Sequence, residues 1–214
     1  SKSSQRFRKL AVGVQIALSV LLLGGALLLL RTLQNLRDQP VGWDTNHVAT
    51  FTLDPTESGY GEQQTSQIVT TAVEKLGALP GVAAVSATTD PELSGDSNTS
   101  SYVVQGHKFT ENESDNFESP EVLPGYFATL RQPLLAGRDF NVGDRKGAAP
   151  VAIVNLGFAK RFYGSASNAM GHLIGQGDKA DTTIVGVVGD TKHQDLRTDT
   201  GPEVYRPYLE MTHR

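Results

Sequence analysis

Residues Leu10–Leu30 carry no charge and only two polar side chains, Gln15 and Ser19. Nine Leu, three Val and one Ile make up most of the run, with three Ala and three Gly between them. As a helix it would be ~31 Å long, the thickness of a bilayer's hydrocarbon layer. Its aliphatic side chains favour insertion by roughly 4 to 8 kcal/mol. A core helix apolar on every side would need a larger body of protein around it than this chain supplies. A cleaved signal sequence would have a run of about 7 to 15 residues ending in small side chains. Here the run ends Leu27-Leu28-Leu29-Leu30-Arg31. It reads as a permanent membrane anchor.

Charge divides at the same place. Lys2, Arg6, Arg8 and Lys9 precede the run without any acid, whereas 15 basic and 23 acidic residues follow it. Basic flanks stay in the cytoplasm, so residues 1–9 are expected to form a cytoplasmic flank and Arg31 onward to lie outside. Arg31 and Arg37 soften this contrast without reversing it. Leu29, Leu30, Leu33 and Leu36 extend an apolar stripe beyond the membrane edge, and Pro40 closes the segment. Residues 10–39 therefore read as a transmembrane helix continued as a stalk, part of one helix ~50 Å long. Gly13-x-x-x-Ala17 and the Gly24-Gly25 pair offer places where another helix could approach.

The acidic remainder excludes several functions. Nucleic-acid binding needs Lys and Arg to neutralise phosphates, and no basic stripe exists. The chain has no cysteine, so disulfides and thiolate metal sites are impossible. Gly171–Gly177 and Gly186–Gly189 match neither phosphate-binding glycine pattern and read as turns and tight strand packing. Asp190-x-x-His193-x-Asp195 is the one spacing that resembles a metal set, and in a polar loop it reads as a solvated turn. No G-x-S-x-G elbow occurs, and His47, His107, His172, His193 and His213 are scattered without a nucleophile nearby. Glu111 and Glu113 read as solvating charge. No catalytic, cofactor-binding or metal residue is assigned, and no cofactor is expected.

Beyond the stalk, Val48–Leu53 alternates as a strand. Glu62–Leu79 carries Ile68, Val69, Ala72, Val73, Leu76 and Leu79 on one helical face, and Val82–Thr88 resumes as strand after Pro80-Gly81. Asp90–Ser101 reads as a polar loop, and Tyr102–Gly106 and Glu118–Leu123 as further strands. Pro124–Leu130 reads as a helical turn and Leu134–Phe140 as a turn with apolar anchors. Strand Val151–Val154 leads into helix Leu156–Tyr163, capped by Asn155 and ended by Gly164. Thr183–Val188 and Glu203–Tyr208 complete the strands. Irregular alternation of the two element types points to an α+β fold.

Eight runs of residues, in order, resemble the extracytoplasmic core domain of MacB-type ABC transporter permeases, within their duplicated-permease subgroup. They are Gln15-x-Ala17-Leu18-Ser19, Gly42-Trp43-Asp44, Leu79-Pro80-Gly81-Val82, Pro124-Gly125-Tyr126-Phe127-Ala128-Thr129-Leu130, Leu134-Leu135-Ala136-Gly137-Arg138-Asp139-Phe140, Val151-Ala152-Ile153-Val154-Asn155, Ile184-Val185-Gly186-Val187-Val188-Gly189-Asp190 and Pro202-x-Val204-Tyr205-x-Pro207. Val41, Leu156 and Ala169-Met170-Gly171 depart from the residues usual there. The resemblance implies that residues 46–214 form a two-lobed core domain. One lobe would be porter-like and built of split strand–helix–strand units, with a smaller β-rich lobe inserted at 118–190. It also implies a fragment, truncated at its C-terminus before a second such unit and three more membrane helices.

The implied partners are the bilayer, the remaining permease helices, a cytoplasmic ABC ATPase, a second permease unit and a periplasmic adaptor protein. The implied work is mechanical: ATP hydrolysis by the separate ATPase would drive substrate export or lipoprotein handling. Two other classes compete. A single-pass sensor with a ligand-binding outer domain would need a signalling module inside, and an anchored hydrolase would need a clustered nucleophile and base.

Overall fold

The computed structural model describes residues 2–37, 41–44, 47–91, 97–192 and 200–208. The chain divides into two units, Ser1–Pro40 and Val41–Arg214.

The first unit is one helix, α1 (Lys2–Arg37), of 36 residues. Gly24 and Gly25 do not interrupt it. Its segment Arg8–Asn35 contains a stretch with a mean hydropathy of 2.3 and is long and apolar enough to cross a membrane. Two hydroxyls on it bond back to the preceding turn, Ser19 Oγ to the Gln15 carbonyl and Thr32 Oγ1 to the Leu28 carbonyl, each at 2.9 Å. A hydroxyl that donates within its own helix enters hydrocarbon at little cost.

The second unit begins with α2 (Glu62–Gly77) and then a strand hairpin, β1 (Thr99–Val104) and β2 (Asn116–Glu118). Next come β3 (Glu121–Val122), α3 (Tyr126–Thr129) and β4 (Leu134–Gly137). β5 (Val151–Asn155), α4 (Leu156–Tyr163) and α5 (Ala166–Ala169) follow. β6 (Leu173–Gln176), β7 (Thr182–Val188) and β8 (Val204–Pro207) complete the unit.

All eight strands join one curled sheet in the order β2-β1-β6-β7-β5-β8-β3, with β4 also on β7. β7 organises it. One side pairs in parallel with β5, from Val151 opposite Thr183 to Asn155 opposite Val188. The other side takes β6 at Thr182 and Thr183 and β4 at Gly186–Val188, both antiparallel.

Both faces of this sheet are covered, which is why every residue of β5 is buried. Ala152 and Val154 enter a cluster with Phe117, Phe158, Ile174, Ile184 and Val187. Val151 and Ile153 enter the other, with Val122, Phe127, Phe140 and Tyr205. The α4 helix starts where the Asn155 side chain accepts the Phe158 N–H at 2.9 Å and stops at Gly164, whose φ is +80°. Phe158 and Ala159 point from it into the first cluster.

The structure departs from the sequence expectation at four places. Residues 48–53 and 82–88 run without a strand ladder, except for an isolated antiparallel bridge of Thr88 with Val122. Their alternation is genuine, but an extended backbone becomes a strand only beside a partner, and Phe51 is 68% exposed. Glu118–Leu123 is two short strands, because Pro120 has no N–H to give a ladder. Leu134–Gly137 is a strand, not a turn. Gly137, at φ +76°, lies so close to the Val185 carbonyl that any Cβ would collide with it. Leu173–Gln176, inside a stretch read as a turn, is a strand held between two glycines of positive φ, Gly171 and Gly177.

Candidate interaction surface

The α2 face predicted from its spacing is formed but only half covered. Ile68, Val69, Ala72, Val73 and Leu76 are each partly exposed, and no described residue of the helix is fully buried. Gly61 begins it, its N–H donating to Gln64 Oε1 at 3.3 Å. Beside Tyr60, Gln64, Ile68, Thr71, Ala72 and Lys75 runs an open groove of about 510 Å³. Exposed Phe51, Leu53, Leu79 and Val82 flank the helix in sequence. Such exposed apolar residues are the mark of an interaction surface.

The chain after α2 is tied to the sheet at β3. The Leu123 N–H donates to the Ala87 carbonyl at 2.9 Å and the Thr89 N–H to the Glu121 carbonyl at 3.0 Å. Ser86 Oγ donates to the Leu123 carbonyl at 3.1 Å. Displacement of α2 would therefore pull directly on an element of the sheet.

Within the sheet, polar side chains fix elements to one another. Asn155 is fully buried and, besides capping α4, accepts the Glu203 N–H at 3.0 Å and donates to the Gly201 carbonyl at 2.8 Å. Tyr205 Oη donates to Glu203 Oε2 at 2.6 Å. Arg206 joins Glu121 at 3.0 Å and Gln176 at 2.9 Å. Tyr102 Oη shares a 2.6 Å hydrogen bond with Ser119 Oγ, and burial raises its pKa. A cavity of about 230 Å³ opens between Tyr102, Gln176, Thr182 and Arg206.

Asp190, Glu113, His107 and His172, weighed from sequence, are committed to structural contacts, and His213 lies outside the described residues. Asp190 Oδ1 accepts the Gly157 N–H at 2.7 Å, in the first turn of α4, while His193 and Asp195 lie outside the described residues. Among the described residues no group of three or more metal-ligating side chains occurs. Glu113 accepts from Arg161 at 2.8 Å and lies 3.0 Å from His107 Nε2, and the Arg161 bond above all lowers its pKa. The His107 ring sits edge-on to Phe109 and Phe162, and Arg161 lies over Phe162. His172 stacks on Tyr163 at 4.4 Å, and burial pushes the Tyr163 phenol up to about 12. Gly175 and Gly186 pack against the Lys179 and Arg138 backbones, the tight packing expected of these glycine runs.

Sequence reading missed the loop after β4. Arg138 makes two bonds to Asp144, at 2.7 and 2.9 Å, and the Asn141 N–H donates to the same carboxylate at 2.9 Å. The Arg138 bond chiefly holds the Asp144 pKa below its ordinary value. A lowered carboxylate pKa stabilises the fold fully above the unfolded-state value near 4 and is lost as pH falls through the folded one. Asp139 next door is raised by burial and contributes with the opposite sign. Asp144→Asn should cost about 1–2 kcal/mol at pH 7 and flatten the fall in stability below pH ~4. Urea titrations at pH 7 and pH 3 check this; equal losses at both would disprove it.

The family described as MacB-like periplasmic core domain matches residues 10–214. Comparison with curated protein sequences finds no match. Among solved structures, the chain is similar to the periplasmic region of MacB from Actinobacillus actinomycetemcomitans at 20% identity and a TM-score of 0.45, over 65% of this chain and 55% of that one. It is similar to a permease-protein domain from Porphyromonas gingivalis at 15% identity and a TM-score of 0.44, over 66% and 57% of the two chains. For the extracellular domain of the noncanonic ABC-type transporter YknZ from Gram-positive bacteria, the values are 17%, 0.42, 64% and 61%. The chain thus spans less than two thirds of each of these structures. With one match running from the apolar helix through the whole sheet, the chain belongs to the MacB-like periplasmic core domain family.

Proposed function

We propose that this chain is the first transmembrane helix and extracytoplasmic core of a MacB-type permease. It couples ATP hydrolysis by a separate cytoplasmic ATPase to export or lipoprotein handling. The observation that carries this reading is the family match, which covers helix and domain together. Residues 1–9 stay in the cytoplasm and residues 46–214 lie outside the inner membrane, because the basic foot precedes the span. The core domain has two lobes. The β-rich one is the smaller lobe inserted at 118–190, and its sheet also takes in β1, β2 and β8.

Transmission is mechanical. A 36-residue helix is ~54 Å long, well beyond the hydrocarbon layer, and a continuous helix is stiff enough to carry displacement outward. The half-covered α2 face and the chain around it receive the rest of the permease, and a periplasmic adaptor docks on the outer lobes. Two such permeases work as a dimer.

The test uses the intact complex with its ATPase. This chain has no cysteine, so with cysteines elsewhere in the complex replaced, Gln67→Cys on the exposed side of α2 carries a single nitroxide per copy. Distances between copies should differ between nucleotide-free and vanadate-trapped states. Identical distributions in the two states would refute mechanical coupling.

A further inference from the structure

We infer that Val41–Asp44 is a clamp through which displacement of α1 enters the second unit, at the end of α3 and in the chain that follows β7. This rests on the proposed mechanical reading and names where its force is delivered. Only residues 38–40 separate Arg37, the last residue of α1, from Val41. A link of that length is taut at about 14 Å, so any larger movement of the helix end is passed on. What receives it is whatever holds Val41 and the residues after it.

Four consecutive residues are held, each by a different contact. The Val41 carbonyl accepts the Lys192 N–H at 2.8 Å. Gly42, at φ +87°, lies so close to Asp190 and Thr191 that a Cβ would come within 2.2 Å of the Asp190 carbonyl oxygen. Trp43 packs on the cluster that contains Phe127 and Tyr205. The Asp44 N–H donates to the Leu130 carbonyl at 2.9 Å, and its carboxylate pairs with Arg131. Hydrogen bonds, steric fit and apolar packing thus converge on the Gly42-Trp43-Asp44 run that the sequence singles out.

The two places gripped by this segment are joined to each other. Gln132, which is buried, follows Arg131 and donates from Nε2 to the Gly189 carbonyl at 2.7 Å. Gly189 directly follows β7, the strand that pairs with β4, β5 and β6. Asp190 in turn holds the first turn of α4. A pull at Val41 therefore reaches the centre of the sheet in two steps. The rival route runs on along the chain through 48–53 to α2. That segment has no ladder and α2 is only half covered, so a pull there extends loose chain before it loads the sheet.

The experiment slackens the chain on either side of the clamp, in the intact complex with its ATPase. Inserting about eight Gly and Ser residues adds slack of about 16 Å at little cost in stability. One variant carries them between Pro40 and Val41, the other between Asp44 and Thr45. With cysteines elsewhere in the complex replaced, a nitroxide at Lys160→Cys, exposed on α4, reports distances between copies in nucleotide-free and vanadate-trapped states. The nucleotide-dependent shift should be lost with the insertion before Val41 and kept with the insertion after Asp44. Trp43 emission from the full chain, where it is the sole tryptophan, should be unchanged by both insertions. Gly42→Val, whose side chain would strike the Asp190 carbonyl, should shift that emission to the red and abolish the distance change. Loss of the shift with both insertions means that force runs on to α2, and retention with both means that it does not arrive along the chain; either overturns the inference. So does Trp43 emission that Gly42→Val leaves unmoved. In the chain without an insertion, a shift at Gln67→Cys but none at Lys160→Cys also overturns it, whereas no shift at either label refutes the mechanical reading itself.

Discussion

Phe158→Ala should lower the stability of the second unit by about 3–5 kcal/mol, the range for removing a fully buried aromatic ring. Phe158 has no exposed surface. Its ring meets Phe117 edge-on at 5.4 Å and lies 4.7 Å from Phe162, so its loss leaves a cavity lined by two rings. Those neighbours cannot close it, because Phe117 is held by the β1–β2 pairing and Phe162 by α4. The chain's single tryptophan, Trp43, packs against the other cluster, on the far side of β5. Urea unfolding followed by Trp43 fluorescence therefore asks a second question. A matching shift in the Trp43 transition means that both faces of the sheet unfold together. A loss below about 1 kcal/mol would mean that the cavity collapses and the packing argument fails.

That helix illustrates what local sequence can reveal. Asn155, the Leu156–Tyr163 spacing and Gly164 define both ends and the buried side of α4, and the structure places all three as read. The long apolar helix α1 is equally legible, since a charge-free run of that length without a breaker forms one continuous helix. Legibility ended where a residue's partner is remote in sequence. The same Asn155 side chain bonds to Gly201 and to the Glu203 N–H, 46 and 48 residues away, and nothing near Asn155 announces this. Asp190, one of three residues with metal-like spacing, reads as part of a solvated turn because its loop is polar; its contact, the start of α4, lies 33 residues back.

The strands failed for the same reason, in both directions. Residues 48–53 have strand alternation and no ladder. Leu173–Gln176 sits between glycines and is a strand because β1 and β7 border it. Alternation reports which side of a segment is apolar, and pairing is decided by what lies alongside. Apolar residues around 48–53 and on α2 therefore stay exposed where the sequence implied a packed unit. That mismatch is what makes this region the candidate interaction surface.

Glu121 and Arg206 supply the other large effect. The Glu121 carboxylate is 2% exposed and the Arg206 side chain 15%, and their 3.0 Å contact joins β3 to β8 at the end of the sheet. Removing one member of a buried ion pair strands the other charge, which costs about 3–5 kcal/mol, whereas replacing both by apolar groups is close to neutral. Here the guanidinium also bonds Gln176 and borders the 230 Å³ cavity, so water can reach it. That places Glu121→Met near the lower limit, about 3 kcal/mol. Glu121→Met/Arg206→Met should recover at least half of the loss, because β3 and β8 keep their parallel backbone pairing and neither member of the pair strands the other. Urea unfolding of the two single variants and the double variant completes the cycle. If Glu121→Met costs less than about 1 kcal/mol, or if the losses simply add, the pair is solvated and the sheet edge is held by its backbone ladder alone.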